Sequence, residues 1–107
     1  MPTSAKDAER HLFITVRSQP AHRTHAQQLL LELVDLVRLE PGCLYYNLFQ
    51  QTEDAEVFLL TAAWANDEAV AAHSTPAQSQ VVERLKPLLA SPLEVIPIRR
   101  VSESPAV

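Results

Sequence analysis

The chain has 107 residues, 47% of them apolar, which suits one globular domain with a modest core and excludes a disordered chain. Its formal charge of −4, with nine lysines and arginines scattered apart from Arg99-Arg100, argues against a nucleic-acid partner. The longest apolar runs are about four residues, against the roughly 20 needed to cross a bilayer, so no membrane partner is expected.

Met1 to Arg10 is polar with mixed charge and does not read as a secretory signal, so a cytoplasmic location is expected. Leu12, Phe13, Ile14 and Val16 predict a first strand over His11–Ser18. Pro20 suits a helix start, because the N–H it lacks would be unpaired in the first turn. From Ala21 to Leu39, the residues Ala26, Leu29, Leu30, Leu33 and Val37 recur at three and four spacing. They define one helical face, widened by Leu31, Val34 and Leu36. Glu40-Pro41-Gly42-Cys43 stops this helix. Proline cannot continue its hydrogen bonding, and the chain's one glycine accepts backbone angles that other residues resist.

Strands over Cys43–Gln51 and Val57–Trp64, joined by the turn Thr52-Glu53-Asp54-Ala55, read as an antiparallel hairpin. Asn66 is placed to cap a short helix from Asp67 to His73, with Asp67 and Glu68 at its positive end. Thr75-Pro76-Ala77-Gln78 has the pattern of a capping box and opens a helix to about Leu89, with Val81, Val82, Leu85, Leu88 and Leu89 inward. Ser91-Pro92 ends that helix, and Leu93–Val101 is expected as a last strand. Pro97 cannot donate to a ladder, which puts this strand at an edge or a bulge. The order β-α-β-β-α-α-β is a split βαβ. It predicts an α+β, ferredoxin-like antiparallel sheet with helices on one face. The expectation is a single domain, 1–107, with a core over about residues 11–101 and flexible tails.

A sheet with helices on one side and water on the other should alternate apolar and polar along each strand. These strands do not. Val57, Leu59, Thr61 and Ala63 share one face of their strand, and Phe58, Leu60, Ala62 and Trp64 share the other. The preceding strand puts Tyr45, Asn47 and Phe49 on one side and Leu44, Tyr46 and Leu48 on the other. Helices from one chain cover one face only, so a homodimer with sheets packed face to face is expected. The alternative is a C-terminal segment folded over the second face.

The order of pieces (Glu40-Pro41-Gly42-Cys43, a strand, a second strand closing on Trp64, then a helix carrying His73) resembles the antibiotic biosynthesis monooxygenase family. The resemblance runs over roughly residues 11 to 101. It implies a small ferredoxin-like protein that dimerises into an α/β-barrel, in a family some of whose members oxygenate aromatic substrates without a cofactor. Trp64 shares a strand face with Phe58 and Leu60. It reads either as one wall of a pocket for a flat aromatic ring or as a core or interface residue. The family carries a tryptophan there and commonly a glutamate two residues earlier; here that position is Ala62.

His73 falls where the resemblance places a histidine facing the cavity, and imidazole can take and return a proton near neutrality. Its structural alternative is a histidine well placed at a helix C-terminus. Asn47 shares a face with Tyr45 and Phe49, and its amide suits a developing phenolate or enolate oxygen. It reads equally as a strand asparagine bonded to neighbouring backbone. The candidate site is therefore His73 and Asn47 as catalytic residues, with Trp64, Tyr45, Phe49, Phe58 and Leu60 binding substrate. One cavity of about 300 Å³ or more is expected to hold them.

His22 and His25 lack a third ligand, so no metal is expected. Cys43 reads as a buried, inert thiol, and as the only cysteine it forms no disulfide within the chain. A single glycine excludes a glycine-rich phosphate loop, and hence flavin or nucleotide binding through one; no cofactor is expected. The resemblance then implies that a base deprotonates a quinol or similar small aromatic, whose anion passes an electron to O₂ and recombines with it. An isomerase or lyase acting by enolisation is the alternative, as is a non-enzymatic small-ligand module, which Ala62 favours. The polar strand residue of the actinorhodin-type oxygenase falls at Leu60 and its helical tyrosine at Val70, so a polyketide substrate is not implied. Haem-degrading relatives need a first-strand asparagine, absent from His11–Ser18. For a phosphorylated-sugar isomerase, Arg17 is the one cation in view.

Overall fold

Four strands form one antiparallel sheet in the order β2-β3-β1-β4, from β1 (Arg10–Arg17), β2 (Cys43–Gln50), β3 (Val57–Trp64) and β4 (Glu94–Ile98). The computed structural model describes residues 8–71 and 75–103. A 3₁₀ turn at Pro20–His22 leads into helix α1 (Arg23–Arg38); α2 (Asp67–Ala71) and α3 (Pro76–Leu85) follow β3, and a second 3₁₀ turn covers Lys86–Leu88. Pro20 thus opens a tight turn ahead of the α-helix, and Pro87 narrows the end of the predicted last helix to 3₁₀ geometry. No helix among the described residues is long and apolar enough to cross a membrane.

The core lies between α1, α3 and one sheet face. Val16, Tyr46, Phe58, Leu60, Ala62 and Trp64 from the sheet pack against Ala26, Leu29, Leu30, Leu33, Val34 and Val37 of α1 and Val81 and Leu85 of α3. Leu31 does not join the helical face as expected. It is 47% exposed, because it sits one residue outside the stripe that three and four spacing defines.

Register decides which side chains share a face. Directly paired residues point the same way, and β2 pairs with β3 as Tyr46↔Ala62 and Leu48↔Leu60, after an irregularity between Cys43 and Tyr45. The helix-facing side therefore carries Tyr46, Leu48, Phe58, Leu60 and Trp64. The far side carries Tyr45, Asn47 and Phe49, paired with Ala63, Thr61 and Leu59. Across β1 it continues through His11, Phe13 and Thr15 to Ile98, Ile96 and Glu94. On that far face Phe49, Ile96 and Ile98 stay 52%, 42% and 46% exposed, so the described C-terminal segment does not cover them.

Gly42 makes the exit from α1. It has φ +85, its carbonyl accepts from Ala65 N–H at 2.8 Å, and a Cβ there would meet the Cβ of Ala69 at 2.6 Å. Glycine is required both for the backbone angle and for the close approach of α2. Asn66 caps α2 through Oδ1, accepting from Ala69 N–H at 2.9 Å. Thr75 caps α3, accepting from Gln78 N–H at 3.2 Å. The other half of the expected capping box does not form, because the Gln78 side chain turns instead to Glu40.

Both sheet edges carry a blunting feature. On β2, Arg38 donates from Nε to the Tyr46 carbonyl at 2.9 Å and from a terminal nitrogen to Asn47 Oδ1 at 2.9 Å. On β4, Pro97 sits opposite Leu12 with no N–H to offer. β4 is shorter than predicted, ending at Ile98, while Arg100 turns back to pair with Glu9.

Candidate functional site

A cavity of about 240 Å³ opens between the sheet and the helices. Ile14, Tyr46 and Leu60 floor it from the sheet, Leu30 and Leu33 line it from α1, and Gln78, Val82 and Leu85 from α3. Leu93 and Val95 close the β4 side, and the exposed Ser79 and Glu83 stand at the rim. The lining is mostly apolar and the volume lies somewhat below the 300 Å³ expected.

At one end of this space the buried polar groups are tied together through Glu40, the first residue of the Glu-Pro-Gly-Cys turn. Its Oε1 accepts from Trp64 Nε1 at 3.2 Å, and its Oε2 accepts from Gln78 Nε2. Trp64 is wholly buried and meets Tyr46 edge-on, with ring centroids 6.3 Å apart and planes at 62°. The Tyr46 phenol is pushed well above its ordinary range by burial, with the neighbouring Cys43 and Glu40 adding to the effect. The phenol therefore keeps its proton and can donate a hydrogen bond. Burial, then Glu40, also raises the Cys43 thiol, against the opposing pull of Arg38, which fits an inert role.

The sheet divides the residues singled out from sequence. Leu60 lines the cavity; Phe58 and Trp64 lie on the same face but belong to the packed core and contribute none of the cavity lining. Tyr45, Asn47 and Phe49 point to the opposite face, so the expectation that they share one cavity with Trp64 is corrected. The parity within each strand holds; the β2–β3 register, which parity alone does not reveal, joins Tyr46 and not Tyr45 to the Trp64 set. Asn47 Oδ1 is already engaged by Arg38. His73 lies outside the described residues, between Ala71, which ends α2, and Thr75, which caps α3.

Glu40, Tyr46 and Gln78 were legible only in part. Glu40 and Gln78 stand in motifs that read as punctuation and cap, and nothing in their spacing points to a joint role. The far face holds a second network. His11 is buried, with Nδ1 2.8 Å from the Tyr45 hydroxyl and Nε2 2.9 Å from Glu9 Oε1, and Glu9 pairs with Arg100 at 3.2 Å. Hydrogen bonds from Arg100, then His11, hold the Glu9 carboxyl below its usual range. Glu9, expected in a loose tail, is thereby fixed to the end of the sheet. Among the described residues no group of three or more His, Cys, Asp or Glu is arranged to hold a metal ion.

Residues 10–84 match the antibiotic biosynthesis monooxygenase family, and the chain belongs to it. Among solved structures it is similar to a conserved protein of unknown function from Bacteroides thetaiotaomicron, described as a possible oxidoreductase. The two share 28% identity and a TM-score of 0.76 over 85% of this chain and 98% of that one. A protein from Deinococcus radiodurans, inferred to be an antibiotic biosynthesis monooxygenase, shares 26% identity and a TM-score of 0.79 over 92% and 97%. An uncharacterised Synechocystis protein is 29% identical over 81 residues; the match spans 75% of this chain and 55% of that relative's length.

Proposed function

We propose that the protein is a monooxygenase acting on a quinol or other small electron-rich aromatic with O₂ and no cofactor, and that it works as a homodimer in the cytoplasm. Family membership and the oxidoreductase and monooxygenase descriptions of similar structures support the general activity. The observation that carries the substrate class is the apolar cavity of about 240 Å³, with Tyr46 and Gln78 as the buried polar members of its wall.

In this reading His73 takes the proton from a substrate hydroxyl. The resulting anion passes one electron to O₂, the ring radical and superoxide join in a carbon–oxygen bond, the protonated His73 returns its proton to the peroxide, and loss of water leaves a quinone that carries the new oxygen. Tyr46, kept neutral by its burial, donates to the oxygen on which charge collects, the role the sequence suggests for Asn47. Leu60, Leu30, Leu33 and Val82 keep the site dry, and Trp64 with Phe58 backs the floor from within the core.

The test is oxygen uptake by the metal-free protein with a panel of naphthoquinols. Acceleration above the spontaneous rate is expected, with His73→Ala reducing it by roughly 10²-fold or more. Equal rates with and without protein would overturn the oxygenase assignment and leave a binding module, which Ala62 in place of a glutamate would then suit.

A further inference from the structure

We propose that Gln78 is the anchor that selects hydrogen-bond-donating ligands in the cavity, its Oε1 accepting from a ring hydroxyl or N–H. Gln78 is 4% exposed and lines the cavity, yet among the described residues its Oε1 has no hydrogen-bond partner and is shielded from solvent. Its backbone N–H is taken by Thr75 Oγ1, and its Nε2 donates to Glu40, whose other oxygen takes the Trp64 indole N–H.

This arrangement fixes which end of the amide is free. Exchanging nitrogen and oxygen would set a carbonyl against a carboxylate, two acceptors with no proton between them. The unsatisfied atom is thus an acceptor by necessity. Buried acceptors left unpaired are costly, and a ligand that supplies a donor removes that cost on binding.

The other lining groups sharpen the selection. Around Gln78 the wall is aliphatic, with Leu30, Leu33, Val82 and Leu85, and the nearby Glu40 carboxylate disfavours an anionic ligand. A neutral phenol, hydroquinone or N–H heterocycle fits; an ether or a carboxylate does not. The inference rests on the proposed binding of small aromatics in this cavity, but not on turnover.

The experiment compares 2-naphthol with its methyl ether, 2-methoxynaphthalene, by calorimetric titration of the intact chain. The naphthol is expected to bind roughly 5- to 150-fold more tightly, the range a satisfied against an unsatisfied buried acceptor gives. In Gln78→Met, which keeps length but removes the acceptor, the two affinities should fall within about twofold, with ether binding kept. In the wild-type chain, the Gln78 side-chain amide resonance should shift with naphthol and not with the ether. That readout needs no variant to fold. Equal wild-type affinities, no binding of either compound, a preference surviving in Gln78→Met, or equal amide shifts would each overturn the proposal. Oxygen uptake is read separately, so a ligand that binds with no preference sinks the anchor and spares the oxygenase assignment.

Discussion

Replacing Gly42 by alanine should destabilise the fold by about 3 kcal/mol, through two costs that can be separated. Holding a residue with a Cβ in the left-handed region costs about 1–2 kcal/mol, and Gly42 has φ +85. The new methyl would stand 2.6 Å from Ala69 Cβ, so α2 must retreat. Overpacking of that kind costs about 1–3 kcal/mol. Against this, alanine stiffens the unfolded chain and returns about 0.4–1 kcal/mol. Urea unfolding followed by circular dichroism and by Trp64 fluorescence gives the difference, read as a lower midpoint at unchanged slope. Ala69→Gly isolates the steric share. Alone it should cost up to about 1 kcal/mol in helix propensity, but combined with Gly42→Ala it should recover the clash, giving a coupling energy of about 1 kcal/mol or more. A loss below about 0.5 kcal/mol for Gly42→Ala, or a coupling near zero, would show that α2 does not pack on the turn as described.

Sedimentation at micromolar concentration should give about twice the chain mass of 11.9 kDa, and Phe49→Glu, on the exposed far face, should yield monomer; a wild-type monomer would remove the dimer. Glu40→Ala leaves the Trp64 indole and the Gln78 amide without their shared acceptor and should cost about 2–4 kcal/mol by urea titration, with Glu40→Gln milder; loss under about 0.5 kcal/mol would remove Glu40 from the network. The folded state holds the Glu9 carboxyl below its ordinary 4.5, so its contribution is present above about pH 4.5 and is lost as pH falls through that value and on through the lower folded one. Glu9→Gln should therefore narrow the stability gap to wild type on acidification below pH 4.5, and a gap constant down to pH 3 would contradict the pairing with Arg100 and His11.

Much of the fold was legible because local signals and burial agree. Ala26, Leu29, Leu30, Leu33 and Val37 state a helix stripe, Glu40-Pro41-Gly42-Cys43 ends it, and each core strand begins within a residue or two of where its apolar run begins. The site was less legible, for a geometric reason. Strand parity sorts side chains within one strand, but which set faces the helices depends on the register between strands, and here an irregularity near Cys43 intervenes. Parity within β2 therefore points to Tyr45, whereas the register makes Tyr46 line the cavity. Gln78 was read as a capping residue because a sequence shows a motif and not the carboxylate, Glu40, that draws the side chain elsewhere. His11 stands in no recognisable motif of the sequence, since Glu9 and Tyr45 reach it only once the sheet has formed.

The two blunted edges of the sheet limit how copies of this chain can meet. A bare edge strand is a template on which further strands add without end, the route to fibres. Here the guanidinium of Arg38 occupies the outward Tyr46 carbonyl on β2, and Pro97 withholds a donor on β4. The apolar face of Phe49, Ile96 and Ile98 is the surface on which the proposed homodimer would form. Contact through a face about a two-fold axis uses up that face in both copies and stops. In the proposed homodimer, an arginine hooked over one edge and a proline set in the other leave the sheet face as the meeting surface, which closes on a pair instead of growing open-endedly.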